Sequence, residues 1–290
     1  MPEGLPSTDA SSFDEIAERK ANYTVNYWKR YFELAMRELL KTQDPTYPGY
    51  FSTRQGEMLL HLASLLPPKS TIVEIGSLMG KSTRWLAVGA MLSGSRLICI
   101  DPFKGLGKED EVGHWADMTK DDTLPVFQTM LNQSLLHDQE IWANIKVVRE
   151  ESAVAARKWQ HGKIDMLFID GLHTRAVQDF EDFLPHCNDW AMIVQDDVSP
   201  MATKQYGING PLGLHEMLLR EGWYPYAQAE LDVAYTTNRE WWDTHRERVV
   251  DSHRGIAQWA FWETRFNSLG PVPSRDCLGP STAFHADSTR

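Results

Sequence analysis

Apolar residues in this chain follow two patterns: short continuous runs, and longer stretches in which they recur at helical spacing. The continuous runs lie at 71–75, 96–100, 145–148, 165–169 and 191–195, each of strand length and apolar on both faces. Between them, helical spacing predicts helices at 53–65, 81–91, 123–137, 152–159, 174–184 and 212–221. A last strand at 230–236 is expected to run antiparallel. The alternation predicts an α/β fold, a doubly wound and mostly parallel sheet with helices on both faces. Ahead of it, Ser12 and Glu15 fit a capping box, and a helix is expected to about Lys41 with Trp28, Tyr31, Phe32, Ala35 and Leu39 on one face. The segment Pro45-Thr-Tyr-Pro-Gly49 breaks it.

Some segments fall outside the rhythm. Residues 104–122 are Gly-rich and acidic, too long for a plain connection, and read as a lid; 198–211 form a second such loop directly after Asp197. His114 and Trp115 lie in the first loop, where a solvated histidine is the better reading. Residues 240–266 have a helical pattern holding Trp241, Trp242, Trp259 and Trp262, read as packing rather than a substrate wall. The expected organisation is a tail and covering helices at 1–66, a core at 67–240, and a Trp-rich helix with a Pro-, Gly- and Ser-rich tail at 241–290.

Composition narrows the class. The chain has 290 residues, 42% of them hydrophobic, enough for a sizeable core. No stretch reaches the roughly 18–20 apolar residues of a membrane span, and no basic or apolar leader precedes the first helix, so a cytoplasmic protein away from membranes is expected. Cys99, Cys187 and Cys277 do not make a disulfide framework. A net charge of −11 disfavours nucleic acid as partner and leaves a small-molecule substrate as the natural one.

Two of the strands end in acids. The first runs into Asp170 and the second into Asp196 and Asp197. In an open parallel sheet, ligands bind beyond the carboxyl ends of the strands, so three acids gathered there suit either a hard metal ion or acid–base chemistry. The bland alternative is helix caps and solvated loop ends. Adjacent side chains on a strand point to opposite faces, so Asp196 and Asp197 can share one ion only if the strand stops between them. The strand at 71–75 leads into a glycine turn, Val73-Glu-Ile-Gly-Ser-Leu-Met-Gly80, and the strand at 96–100 runs into a further acid, Asp101, placed where an acid grips a ribose diol in nucleotide-binding sheets. A dinucleotide site would want glycine where Leu78 stands, and Glu74 repels a phosphate but suits an ammonium group.

Glu74-x-Gly76-x-x-x-Gly80-x-Ser82 with Asp101 resembles the class I S-adenosylmethionine-dependent methyltransferases. The resemblance implies a seven-stranded Rossmann-like methyltransferase sheet. It also implies cofactor contacts from Glu74, Gly76, Ser77, Gly80, Ser82, Asp101, Ser152 and Asp170, with Glu74 toward the methionine amino end, Asp101 on the ribose and Ser152 beside the adenine. Ile169-Asp170-Gly171-Leu172-His173 and Gln195-Asp196-Asp197 are similar to the cation-dependent O-methyltransferases of the catechol, caffeoyl-CoA and antibiotic-tailoring types. That likeness implies a divalent cation such as Mg²⁺ on Asp170, Asp196 and Asp197. It implies His173 as proton acceptor, where the catechol-type enzymes carry lysine. The expected activity is S-adenosyl-L-methionine- and Mg²⁺-dependent O-methylation of a phenol, sugar or other secondary metabolite, in a homodimer. A metal-independent N- or O-methyltransferase and a non-catalytic cofactor-binding scaffold stay open as alternatives.

Overall fold

The structure, a computed structural model, describes residues 51–104, 122–134, 143–199 and 206–245. The expected helix before Lys41, most of the 104–122 loop with His114 and Trp115, and Trp259 and Trp262 lie outside the described residues. Among the described residues no helix is long and apolar enough to cross a membrane.

Seven strands form one sheet: β1 Thr71–Ile75, β2 Arg96–Ile100, β3 Ile145–Val148, β4 Ile164–Ile169, β5 Cys187–Gln195, β6 Tyr224–Ala229 and β7 Asp232–Thr236. Their order is β3-β2-β1-β4-β5-β7-β6. The first five are parallel, and β7 pairs antiparallel with both β5 and β6. The strand order reverses between β1 and β4, which opens a crevice at their carboxyl ends. Every residue of β1 and β4 is buried, as expected of mostly apolar strands covered on both faces, and this burial takes in Glu74 and Asp165 as well.

The helices are α1 Thr53–Ser64, α2 Lys81–Ser93, α3 Leu124–Ser134, α4 Ser152–Arg157, α5 Ala176–Phe183 and α6 Pro211–Arg220. A short 3₁₀ turn, His173–Arg175, leads into α5. Helix α1 starts at a capping box: Ser52 Oγ accepts from Gln55 N at 3.2 Å, and Gln55 Oε1 accepts from Ser52 N at 2.8 Å. Two glycines let α1 lie tightly on α2. A Cβ on Gly56 would fall 2.1 Å from the Trp85 ring, and one on Gly89 would fall 2.5 Å from Ala63 Cβ. Met58, Leu59 and Leu62 on α1 are at most 1% exposed. At about 1.5–3 kcal/mol per fully buried side chain, they hold this helix on the core and fix the place of Gln55 in its first turn.

Two strand assignments differ from the sequence reading. Strand β6, Tyr-Pro-Tyr-Ala-Gln-Ala, has no clean alternation and is mostly half-exposed, as suits an edge strand that tolerates Pro225. Strand β5 begins at Cys187, earlier than the apolar run, because Asn188 and Asp189 extend it past the sheet's buried centre. Trp242 is fully buried, its Nε1 donating to Trp190 O at 2.9 Å, so the described part of the Trp-rich segment packs against the sheet.

Candidate active site

The turn after β1 is organised from beneath. Glu74 is fully buried, and its carboxylate accepts from Ser77 Oγ at 2.7 Å, Ser82 Oγ at 2.6 Å and Thr83 Oγ1 at 2.6 Å. Burial raises its pKa, and the three hydroxyl donors oppose the rise. Glu74, Ser77 and Ser82, predicted to face a cofactor, thus hold one another and pin the start of α2 to the end of β1. Gly76 has φ +88°, and a Cβ there would fall 2.0 Å from the Asp170 carbonyl oxygen. Its missing side chain admits the backbone of β4, and the crevice is narrow for that reason. Gly80, at φ +85°, caps α2 without a side-chain bond, leaving that end of the helix its free backbone N–H groups.

Asp101, at the end of β2, closes the same turn from the side. Its Oδ2 accepts from Leu78 N at 2.8 Å and its Oδ1 from Phe103 N at 2.6 Å. Leu78 and Phe103 both sit at positive φ, 42° and 52°, so the carboxylate holds two backbone kinks in place. Burial raises the Asp101 pKa, and its backbone donors oppose this.

The acid cluster assembles at the ends of β4 and β5. Asp170 N donates to Ile75 O at 2.9 Å and Asp196 N to Ile169 O at 3.2 Å, extending the parallel ladders by one bond each. The strand stops there, because Asp197 adopts φ +57°, a left-handed conformation aspartate tolerates. That reversal turns Asp197 back toward the same centre as Asp196. His173 Nε2 stands 3.9 Å from Asp170 Oδ1, 3.9 Å from Asp196 Oδ2 and 3.7 Å from Asp197 Oδ2. This nitrogen is buried and has no hydrogen-bond partner among the described residues. Its ring packs on Tyr206 with centroids 4.6 Å apart.

Burial raises the Asp170 pKa far above its ordinary value, and the neighbouring Asp196 charge raises it further. Asp197 is raised by burial and then by Asp196, with His173 opposing. Oxygen-rich ligand sets of this kind suit a hard divalent cation. Asp170, His173 and Asp196 each present a ligand atom, and these atoms all lie within 4.8 Å of one another. The oxygen donors and the crowding of like charge fit a cation.

Ser152 opens α4, and its hydroxyl donates to Asp179 Oδ1 at 2.6 Å, so it ties α4 to α5. Asp179, 1% exposed, also faces Arg175 Nε at 3.6 Å. Burial pushes the Asp179 pKa up from 3.8 to about 6, against the Ser152 and Arg175 contributions. A carboxyl whose folded pKa is raised adds stability that is complete below its unfolded pKa and is lost as pH rises through the folded one. Stability is therefore expected to fall between pH 3.8 and about 6, by up to about 3 kcal/mol from this group. The Asp179→Asn variant should flatten that part of the curve in denaturant titrations at a series of pH values; an unchanged slope would assign it elsewhere.

Four residues at the site escaped the sequence reading: Thr83, Asp179, Gln55 and Asp232. Thr83 is signalled only by its place one residue after Ser82. Gln55 carries the capping-box signal of Ser52-x-x-Gln55, which accounts for its carbonyl alone. Asp232 begins β7 and is wholly buried, with its Oδ1 accepting from Gln55 Nε2 at 2.6 Å. An acid following a turn reads as solvated, so nothing in the sequence marked it.

Residues 73–198 match a family model described as a methyltransferase domain. Among solved structures, the cofactor-bound Rv0187 from MTB is 18% identical, with a TM-score of 0.51, over 72% of this chain and 90% of that one. The O-methyltransferase TomG from Streptomyces achromogenes, in complex with SAM, is 18% identical over 71% of this chain and 90% of that one, at a TM-score of 0.49. An O-methyltransferase from Bacillus cereus, in complex with SAH, is 17% identical over 70% and 90%, also at 0.49. The strand order, the glycine turn after β1 and the matched family model agree on a methyltransferase domain at residues 73–198.

Proposed function

We propose that this protein is a cation-dependent O-methyltransferase, with Mg²⁺ as the ion, that methylates a hydroxyl of a small molecule. The observation that carries this reading is the convergence of Asp170, Asp196 and Asp197 on one buried imidazole nitrogen, beside the Gly76–Gly80 turn. A divalent cation held by the three carboxylates would lower the pKa of an acceptor hydroxyl and orient it. The sulfonium of S-adenosylmethionine would supply the methyl group.

The chain's own groups then divide the work. The turn from Gly76 to Gly80 and the open N-terminus of α2 bind the methionine end, with Ser77 and Ser82 kept in place by Glu74. The Asp101 carboxylate has lone-pair capacity beyond what its backbone donors Leu78, Phe103 and Ser77 use, which suits a ribose hydroxyl. Ser152 positions the start of α4 along the adenine side. His173 Nε2 accepts the acceptor's proton, and the Tyr206 ring holds the imidazole in its orientation.

Metal-stripped protein is expected to transfer no methyl from S-adenosylmethionine to a panel of vicinal dihydroxy acceptors, and added Mg²⁺ to restore turnover. In the same assay His173→Ala is expected to lose roughly 10²–10⁴-fold in kcat while still binding the ion. Full activity in chelator would reject the cation, and an unimpaired His173→Ala would reject the base.

A further inference from the structure

We propose that Gln55 and Asp232 are positioning residues for Asp196, fixing which of its oxygens faces the cation; this rests on the cation-dependent reading above. The Gln55 side-chain nitrogen donates to Asp196 Oδ1 at 3.2 Å and to Asp232 Oδ1 at 2.6 Å. Its carbonyl is committed to Ser52 N at 2.8 Å. A flipped amide would set its oxygen against two carboxylate oxygens, so the network admits one orientation. With Oδ1 held by Gln55, Asp196 presents Oδ2, the oxygen 3.9 Å from His173 Nε2.

All three residues are at most 8% exposed. Asp232 Oδ2 is buried and has no hydrogen-bond partner among the described residues. Asp232 lies against Asp196, and burial together with the Asp196 charge raises its pKa well above the ordinary carboxyl value, so its part in the clamp is the oxygen that holds the Gln55 amide. Such outer partners orient ligands, and their loss weakens metal binding about 10–100-fold. The clamp also joins α1 to the ends of β5 and β7, so a helix outside the sheet helps shape the cation centre.

The test measures Mn²⁺ binding to the full chain by the loss of the free-ion electron paramagnetic resonance signal. Calorimetry with S-adenosylhomocysteine and thermal unfolding serve as controls. Gln55→Met is expected to weaken Mn²⁺ at least about tenfold with S-adenosylhomocysteine affinity unchanged within about twofold. Asp232→Asn, which keeps an oxygen for Gln55 but sets an amide beside Asp196, is expected to weaken Mn²⁺ by a smaller factor. Should Gln55→Met not fold, the near-isosteric Asp232→Asn carries the test. Folded variants with wild-type Mn²⁺ affinity would overturn the clamp alone, whatever their melting temperatures. A wild-type protein that binds S-adenosylhomocysteine but no Mn²⁺ would instead overturn the cation reading, and the clamp with it.

Discussion

Asp170→Asn is expected to lower kcat/KM at least about a thousandfold, some 4 kcal/mol of transition-state stabilisation, while the protein melts no lower in metal-free buffer. The two halves of this result have one cause. Asp170 is packed at the end of β4 with Asp196 beside it, and burial and that neighbour both penalise its charged form. In the fold alone, the ionised carboxylate is therefore a destabilising element, and the amide relieves it. Toward a cation the same charge is the binding group, and the amide forfeits it. A group kept at a cost in stability for the sake of function behaves in this way. Steady-state kinetics with Mg²⁺, paired with unfolding in chelator, read both halves. A variant that melts much lower would make Asp170 structural, and one that keeps its activity would remove it from the reaction.

Gly76→Ala is expected to be the most damaging single substitution in the core, at about 3 kcal/mol or more. The added methyl would fall 2.0 Å from the Asp170 carbonyl oxygen, 2.5 Å from its carbon and 2.6 Å from Gly171 Cα. All three are backbone atoms of the neighbouring strand's end, which no side-chain rotation can clear. The residue's φ of +88° adds strain of its own. Gly80→Ala shares the positive φ but meets only side chains, the Phe127 ring at 3.2 Å and Leu131 at 3.4 Å, so a loss of about 1–2 kcal/mol is expected there. Chemical denaturation of the two variants tests the order. If Gly76→Ala proved as mild as Gly80→Ala, the close approach of β1 and β4 would not be what the glycine is for.

The legible parts of this molecule were those where one physical demand dominates. Strands buried on both faces are mostly apolar, so β1, β2 and β4 were plain in the sequence, and so were Asp101 and Asp170, which follow β2 and β4. Strand β6 was not, because an edge strand half in water carries Tyr, Pro, Ala and Gln without a period. Within the site, Asp170, Asp196 and Asp197 were found from their strand ends. Whether the last two share a centre depended on the left-handed turn at Asp197, a backbone choice that no residue type dictates. Glu74 was legible as a site residue, yet its three hydroxyl partners at Ser77, Ser82 and Thr83 appear only once α2 is folded against β1. Asp232 and Gln55 were silent because their partnership joins parts of the chain 177 residues apart.

That separation bears on how the molecule comes into being. Sheet strands β1, β2, β3, β4 and β5 all precede residue 196, whereas Gln55 cannot meet Asp232 until nearly the whole described core has left the ribosome. At about 5–20 residues per second of synthesis, the emerging chain spends seconds with the edge of β5 uncovered and the charges of Asp170, Asp196 and Asp197 already gathered. Pairing of β7 with β5 then covers that edge and delivers Asp232 in a single step. Long-range closures of this kind are slow. The proposed cation centre is thus completed only when β7 has been made, and nascent chains halted before β7 would carry the acids without the clamp.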